Sequence, residues 1–216
     1  MTTLIIGAHG HVGQHIVKQL AATGETVYAG IRSATQADNI TALGGQPRIV
    51  DLMGTADAMV PAMAGVDTVV FSAGSGGSTG DDMTLNIDLD GAIKSMIATE
   101  EAGIKRFIIV SALGTDDRTF WDKSGIRPYY VAKYYADQWL RHRTDLDYTI
   151  VRPGILTNDA PTGKITLDTA NSDNKSISRE DVAAAVVAVV KHPLPKQTIE
   201  LVNGDTAITA AVAAVK

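Results

Sequence analysis

Apolar positions along the chain fall into two alternating patterns. The short runs TLII (3–6), TVYAGI (26–31), PRIV (47–50), TVVF (68–71), RFIIVS (106–111), YTIVR (148–152) and TIELV (198–202) read as strands. Several are β-branched and apolar throughout rather than at every second residue, as strands covered on both faces are. Between them the spacing lengthens. Leu89, Ala92, Ile93, Met96 and Ile97 recur at i, i+3, i+4, i+7 and i+8, which draws one apolar stripe on a helix ending near Gly103. Segments 12–22, 56–63, 129–142 and 179–191 also predict helices. Strands separated by helices of this length need right-handed crossovers, so the pattern predicts a doubly wound, mostly parallel α/β sheet of about seven strands. No linker, repeat or charge block divides the chain. Residues 1–216 are expected to form one domain, with a small substrate-side region from 153–178 and the loop 112–127. The least regular stretches, 72–82, 112–127 and 157–176, each follow a strand, where open α/β sheets bind their ligands.

Composition narrows the partners. With 45% apolar and 20% charged residues, 216 residues bury a substantial core. A formal charge of −5 gives no general drive toward nucleic acid or anionic membrane, so small molecules or proteins are the expected partners, with oligomeric state left open. The absence of cysteine excludes disulfides, thiolate metal sites and thiol nucleophiles, and makes the cytoplasm the expected compartment. The N-terminus has no basic region before its apolar run, and no stretch of about 18 apolar residues follows. Neither a signal peptide nor a membrane span is expected.

The candidate chemistry begins at GAHGHVG, positions 7–13, directly after the first predicted strand. Gly7 ends that strand, and Gly10 and Gly13 open the first helix, so the free N–H groups and positive dipole end of the helix face a pyrophosphate. The spacing is G-x-x-G-x-x-G rather than the strict dinucleotide fingerprint, but its strand-to-helix context points to a nucleotide site. His11 and His15 lie four apart on the helix. No cysteine or carboxylate completes a metal set beside them, so no metal is expected, and His9 and His11 read as residues near the phosphates. At the end of the second strand, where NAD sites commonly offer Asp or Glu, stand Arg32 and Ser33. An arginine there suits a 2′-phosphate and favours NADP over NAD. Asp51 has two readings, as acceptor for the adenine amino group or as cap of the next helix.

A second constellation is PYYVAK, 128–133. Pro128 suits a helix first turn, and Tyr129 and Lys133, four apart, share one face. An ammonium beside a phenol lowers the phenol pKa, which makes Tyr129 a general acid or base, while Ser111 would hold a substrate carbonyl. Together they suggest hydride transfer. Phe120 and Trp121 read either as an apolar wall over the substrate or as buried packing.

Taken in order, GAHGHVG, IVDL, FSAG, FIIVSA, YYVAK and IVRPG resemble the short-chain dehydrogenase/reductase superfamily over positions 4–157. The remainder, with SISREDVAAAVVAVV and TIELVNGD, is similar to its shorter atypical NAD(P)-binding branch, related to biliverdin reductase B and to nucleoside-sugar epimerases. The resemblance implies a Rossmann sheet with His9, Gly10, His11, Val12 and Gly13 beside Gly7 at the pyrophosphate. It implies Arg32 and Ser33 near the 2′-phosphate, Asp51 and Leu52 near adenine, and Ser72, Ala73 and Gly74 along the adenosine ribose. Tyr129 is implied as proton donor, Lys133 as partner of the nicotinamide ribose, Ser111 as substrate polariser and Pro153 as neighbour of the nicotinamide. One departure stands out: where many members carry asparagine in an N-x-x-G pattern, this chain has DLDG with Asp88, which removes that relay. The short C-terminal portion implies a small substrate or a shallow pocket. Two rivals to an oxidoreductase are an epimerase and a regulator that senses the nicotinamide redox state without turnover.

Overall fold

The computed structural model describes residues 1–77 and 79–215. In chain order its elements are β1 (Thr2–Ile6), α1 (His11–Ala21), β2 (Thr26–Ile31), α2 (Ala37–Ala42), β3 (Gln46–Ile49), β4 (Thr68–Phe71), α3 (Asp81–Met83), α4 (Ala92–Glu101) and β5 (Arg106–Val110). There follow α5 (Arg118–Lys123), α6 (Arg127–Arg143), β6 (Asp147–Pro153), β7 (Ile155–Thr157), β8 (Lys164–Thr166), β9 (Ser176–Ser178), α7 (Arg179–Lys191), β10 (Gln197–Asn203), β11 (Thr206–Ala207) and α8 (Ile208–Ala213).

Among the described residues the main sheet has nine strands in the order β11-β8-β10-β6-β5-β4-β1-β2-β3. Its seven parallel members, β3, β2, β1, β4, β5, β6 and β10, are the seven apolar runs of the sequence. The count of about seven is therefore corrected upward by β8 and β11, which pair antiparallel beyond β10 and are too short for a hydrophobic run to reveal. A separate parallel pair joins β7 to β9.

Alternation across the pleat explains the two cores. Ile5, Val70, Ile108 and Val151 point to one face and pack with Ile16, Val17 and Leu20 of α1 and Val182, Val186 and Val189 of α7. Leu4, Ile6, Val69, Phe71, Phe107 and Ile109 point to the other, against Met59 and Met63, Met96 of α4 and Leu140 of α6. Each of these large side chains is essentially removed from water, worth about 1.5–3 kcal/mol apiece.

Two helix expectations and one loop expectation change in detail. Segment 57–63 is wound as a 3-10 helix containing Pro61, which has no N–H to give an α-helical ladder. The helix carrying Leu89 begins earlier, as α3, continues through a π-helical stretch Thr84–Gly91, and ends as α4. The loop 112–127 contains α5, whose first N–H groups are capped by the Asp117 carboxylate through Thr119 and Phe120 at 2.9 and 3.1 Å. Trp121 of α5 is fully buried, and its indole N–H donates to the carbonyls of Gly114 and Thr115 at 3.2 and 3.1 Å. Phe120 is 41% exposed and meets Tyr130 edge to face at 5.3 Å. The two aromatics thus divide, Trp121 being packing and Phe120 a surface ring beside the tyrosines.

Candidate active site

Because the seven core strands are parallel, the residues that follow them collect along one edge. The chain runs from β1 outward to β2 and β3, then returns to the opposite side of β1 for β4, so a crevice opens between β1 and β4. Gly7 stands at its floor with φ +83°, and a Cβ there would sit 2.6 Å from the Ala73 backbone, closer than carbon atoms approach. A Cβ at Gly13 would collide with the Gly7 carbonyl, so α1 lies against the turn only because that position has no side chain. Gly10 is the N-cap of α1 and gives its first turn no side-chain acceptor, which leaves the opening N–H groups of His11, Val12 and Gly13 to an incoming anion. His9 and His11 are exposed on this turn. The carbonyl of His9 accepts from the Gln14 amide at 2.8 Å. His15 lies 3.9 Å from Glu180, a carboxylate that spacing alone does not bring to it. Among the described residues, no three His, Cys, Asp or Glu side chains converge as a metal site.

The remaining candidates for the adenosine half lie along the same edge. Arg32 follows β2 with its side chain exposed and its backbone N–H donating to Gln36 at 3.1 Å. Ser33 caps the short helix after it through Thr35. Asp51 is exposed and accepts from the Met53 N–H at 2.9 Å, a local turn rather than a helix cap, since the next helix begins at Asp57. Leu52 is half-buried and faces Gly91. After β4, Ala73 is buried beneath Gly7, Gly74 is exposed, and the Ser72 hydroxyl oxygen is buried with no hydrogen-bond partner among the described residues. Such an orphaned hydroxyl, beside a turn built from absent side chains, fits the polar backbone of a dinucleotide.

The other half of the crevice is made of side chains. Tyr129 and Lys133 share a face of α6, with the Lys133 ammonium 5.5 Å from the Tyr129 ring centre. That ammonium is buried, pairs with Asp88 of the π-helical stretch at 3.1 Å and donates to the Val110 carbonyl at 3.3 Å. Burial opposes its charge, yet Asp88 and Tyr129 outweigh burial and raise its pKa. Tyr129 departs from expectation. Lys133 pulls its pKa down, but burial of the ring and the fields of Asp88 and Asp137 push harder, so the phenol is raised above its ordinary value.

Ser111, directly after β5, is 3% exposed and donates its hydroxyl proton to Asp137 at 3.0 Å. In this geometry that proton is engaged below the crevice rather than free for a substrate. Asp137 is fully buried and takes two bonds from Arg152, from Nε at 3.0 Å and from Nη2 at 2.9 Å. Arg152 also reaches Asp116 at 2.6 and 3.0 Å and Glu200 at 3.5 Å. Burial opposes the guanidinium charge, but Asp116 and Asp137 outweigh it and raise its pKa, and Arg152 in turn holds the Asp116 carboxyl below its usual range. Pro153 is buried at the end of β6 and its carbonyl accepts from Leu113 at 2.9 Å.

Asp137, Arg152 and Asp116 were missed by motif reading, although two signals exist. Asp137 continues the series Tyr129, Lys133 at i+8, and Arg152 is a charge inside an apolar strand that is covered on both faces.

Comparison with known proteins agrees with this geometry. The family described as NAD(P)H-binding matches residues 7–193. The chain is 40% identical over 214 residues to a protein of Bacillus subtilis called the uncharacterized sugar epimerase YhfK, covering 98% of this chain and 99% of that one. A structure from Bacillus halodurans, described as a putative NAD-dependent epimerase/dehydratase, superposes with a TM-score of 0.92 at 39% identity over the whole of both chains. The anaerobillin reductase ChuY from Escherichia coli O157:H7 follows with a TM-score of 0.80 at 27% identity, over 95% of this chain and 98% of that one.

Proposed function

Since the chain belongs to the NAD(P)H-binding family of Rossmann proteins, in its atypical short-chain dehydrogenase/reductase branch, we propose that it is an NADP-dependent oxidoreductase acting on a small carbonyl or alcohol. One observation carries the reading: the Tyr129 ring lies beside a buried lysine, on the same sheet edge as a glycine turn whose opening N–H groups no side chain caps. Gly7 and the opening N–H groups of α1 would hold the diphosphate, Arg32 the 2′-phosphate and Lys133 the nicotinamide ribose. A reduced nicotinamide bound there supplies hydride. Tyr129 then protonates the developing alkoxide, and α6 holds that proton at a fixed place so that little reorganisation accompanies the step. A cysteine-free chain suits the reducing cytoplasm.

Tyr129→Phe tests the assignment. NADPH oxidation over a panel of small aldehydes and ketones should fall by about 10²–10⁴-fold, while NADPH binding followed by nicotinamide fluorescence changes little. Unchanged turnover removes Tyr129 from the reaction. The names of the Bacillus relatives favour a second reading, an epimerase, in which hydride returns to the carbon it left. It would interconvert stereoisomers of a sugar substrate with no net change in nicotinamide absorbance. Tight NADPH binding with neither outcome would fit a redox-sensing regulator.

A further inference from the structure

Beside Lys133 and Tyr129 lies a buried carboxylate to which the proposed chemistry gives no task. Asp88 is 1% exposed and lies in the π-helical stretch Thr84–Gly91, a winding that tends to occur at functional places. One of its carboxylate oxygens accepts from the Ser75 N–H at 2.9 Å, which ties the loop after β4 to this helix. The other lies 3.1 Å from the Lys133 ammonium. A Cβ at Gly74 would come within 3.1 Å of that same oxygen, so the glycine keeps the carboxylate in place.

We propose that Asp88 is a positioning residue that cancels the field of Lys133 at the Tyr129 phenol, so that Tyr129 keeps its proton at neutral pH and the site runs as a carbonyl reductase. The argument is one of charge counting in a small buried volume. On α6, Tyr130 meets the Tyr129 ring edge to face at 5.4 Å and the Lys133 ammonium lies 5.5 Å from its centre, while the fields of Asp137 and of Asp88 in the π-helical stretch both act on the phenol. At the β5 end, the Val110 carbonyl accepts from Lys133 and the Ser111 hydroxyl donates to Asp137. Asp137 is itself paired with Arg152 of β6. Lys133 and Arg152 are thus each matched by at least one carboxylate, and among the described residues neither cation beside the phenol is left unpaired. An unpaired lysine at this distance would pull a phenol down and make it a base. Here burial raises the phenol, Lys133 opposes it, and the Asp88 carboxylate paired with that lysine offsets part of its pull, so the phenol stays above its ordinary value.

The consequence for reaction direction rests on the oxidoreductase reading. In reduction, Tyr129 would give its proton to the carbonyl oxygen, whose C=O π pair becomes the new O–H bond as the carbon gains hydride from the bound nicotinamide, and the phenolate would recover a proton from solvent. Alcohol oxidation needs the phenolate at the outset, and that form is scarce here below alkaline pH.

The charge cancellation is tested without turnover, by tyrosinate absorbance during alkaline titration of the protein alone. Each background is compared with its own Tyr129→Phe counterpart, so that the difference isolates Tyr129. Asp88→Asn keeps the shape and the bond from Ser75, and should lower the Tyr129 midpoint by about one pH unit or more. Lys133→Met should raise it, and the double substitution should return it to near the wild-type midpoint. An Asp88→Asn midpoint equal to wild type in a protein with unchanged circular dichroism overturns the proposal. If Asp88→Asn does not fold, the comparison of Lys133→Met with the double variant reads the same Asp88 field, and coincident midpoints overturn it. With NADPH and a substrate, the alkaline limb of reduction should move down with the Tyr129 midpoint. Failure to find any substrate would count against the oxidoreductase reading and leave the titration standing.

Discussion

The turn between β1 and α1 and the wall formed by β5, β6 and α6 occupy the same edge of one sheet, yet they are built from different groups. The turn works through what is absent: Gly7, Gly10 and Gly13 clear space, and main-chain N–H groups provide its polarity. The wall works through what is present: charged side chains in two sets, Lys133 with Asp88 and Arg152 with Asp116, Asp137 and Glu200. A backbone site tolerates no added atom, whereas a side-chain site tolerates no lost partner. The two halves should therefore fail differently.

The largest effect is expected in the wall. Arg152→Met leaves Asp137 fully buried without its cation, and breaking such a pair costs about 3–5 kcal/mol, measured as a fall in the urea midpoint. The same change should leave NADPH binding by the folded fraction nearly intact, and a binding defect without a stability defect would dissolve the contrast. In the turn, Gly13→Val forces the Gly7 carbonyl away and should weaken NADPH binding by roughly a hundredfold, about 2.7 kcal/mol, read by calorimetric titration. Arg32→Ala sharpens the comparison, because it removes the one exposed cation assigned to the cofactor half. The NADPH over NADH preference should fall by about tenfold while NADH affinity stays put. The smallest effect is expected at the rim of the ion network. Asp116 is half-exposed, so Asp116→Asn should cost less than about 1 kcal/mol near neutral pH. Its folded pKa lies below the unfolded value, so its contribution is present above the ordinary aspartate range and is lost as pH falls through the folded pKa. Thermal melts of wild type and Asp116→Asn should converge in acid.

The same contrast governs what the sequence made legible. The seven parallel strands and helices such as α7 were readable because burial on a sheet or a helix face imposes a period on apolar residues. The turn was readable because glycine reports a backbone demand directly. β8, β11 and α5 were not, since two to six residues cannot display a period, although Asp117 before Arg118–Lys123 offered a cap signal. Tyr129 and Lys133 were found by their spacing. Their protonation was not, because it depends on Asp88, forty-five positions away from Lys133, and on how deeply the ring is buried. Spacing places groups on a face, but only the fold decides which charges end up neutralised.

The strand order also bears on how copies of this chain can meet. At one margin lies β3, four residues long with Pro47 inside it, a residue that has no N–H to offer a neighbour. At the other lies β11, only two residues long, beyond the longer β10. Among the described residues, neither margin of the main sheet presents a long run of free main-chain groups on which another strand could grow, so growth of that sheet from copy to copy is blunted at both ends.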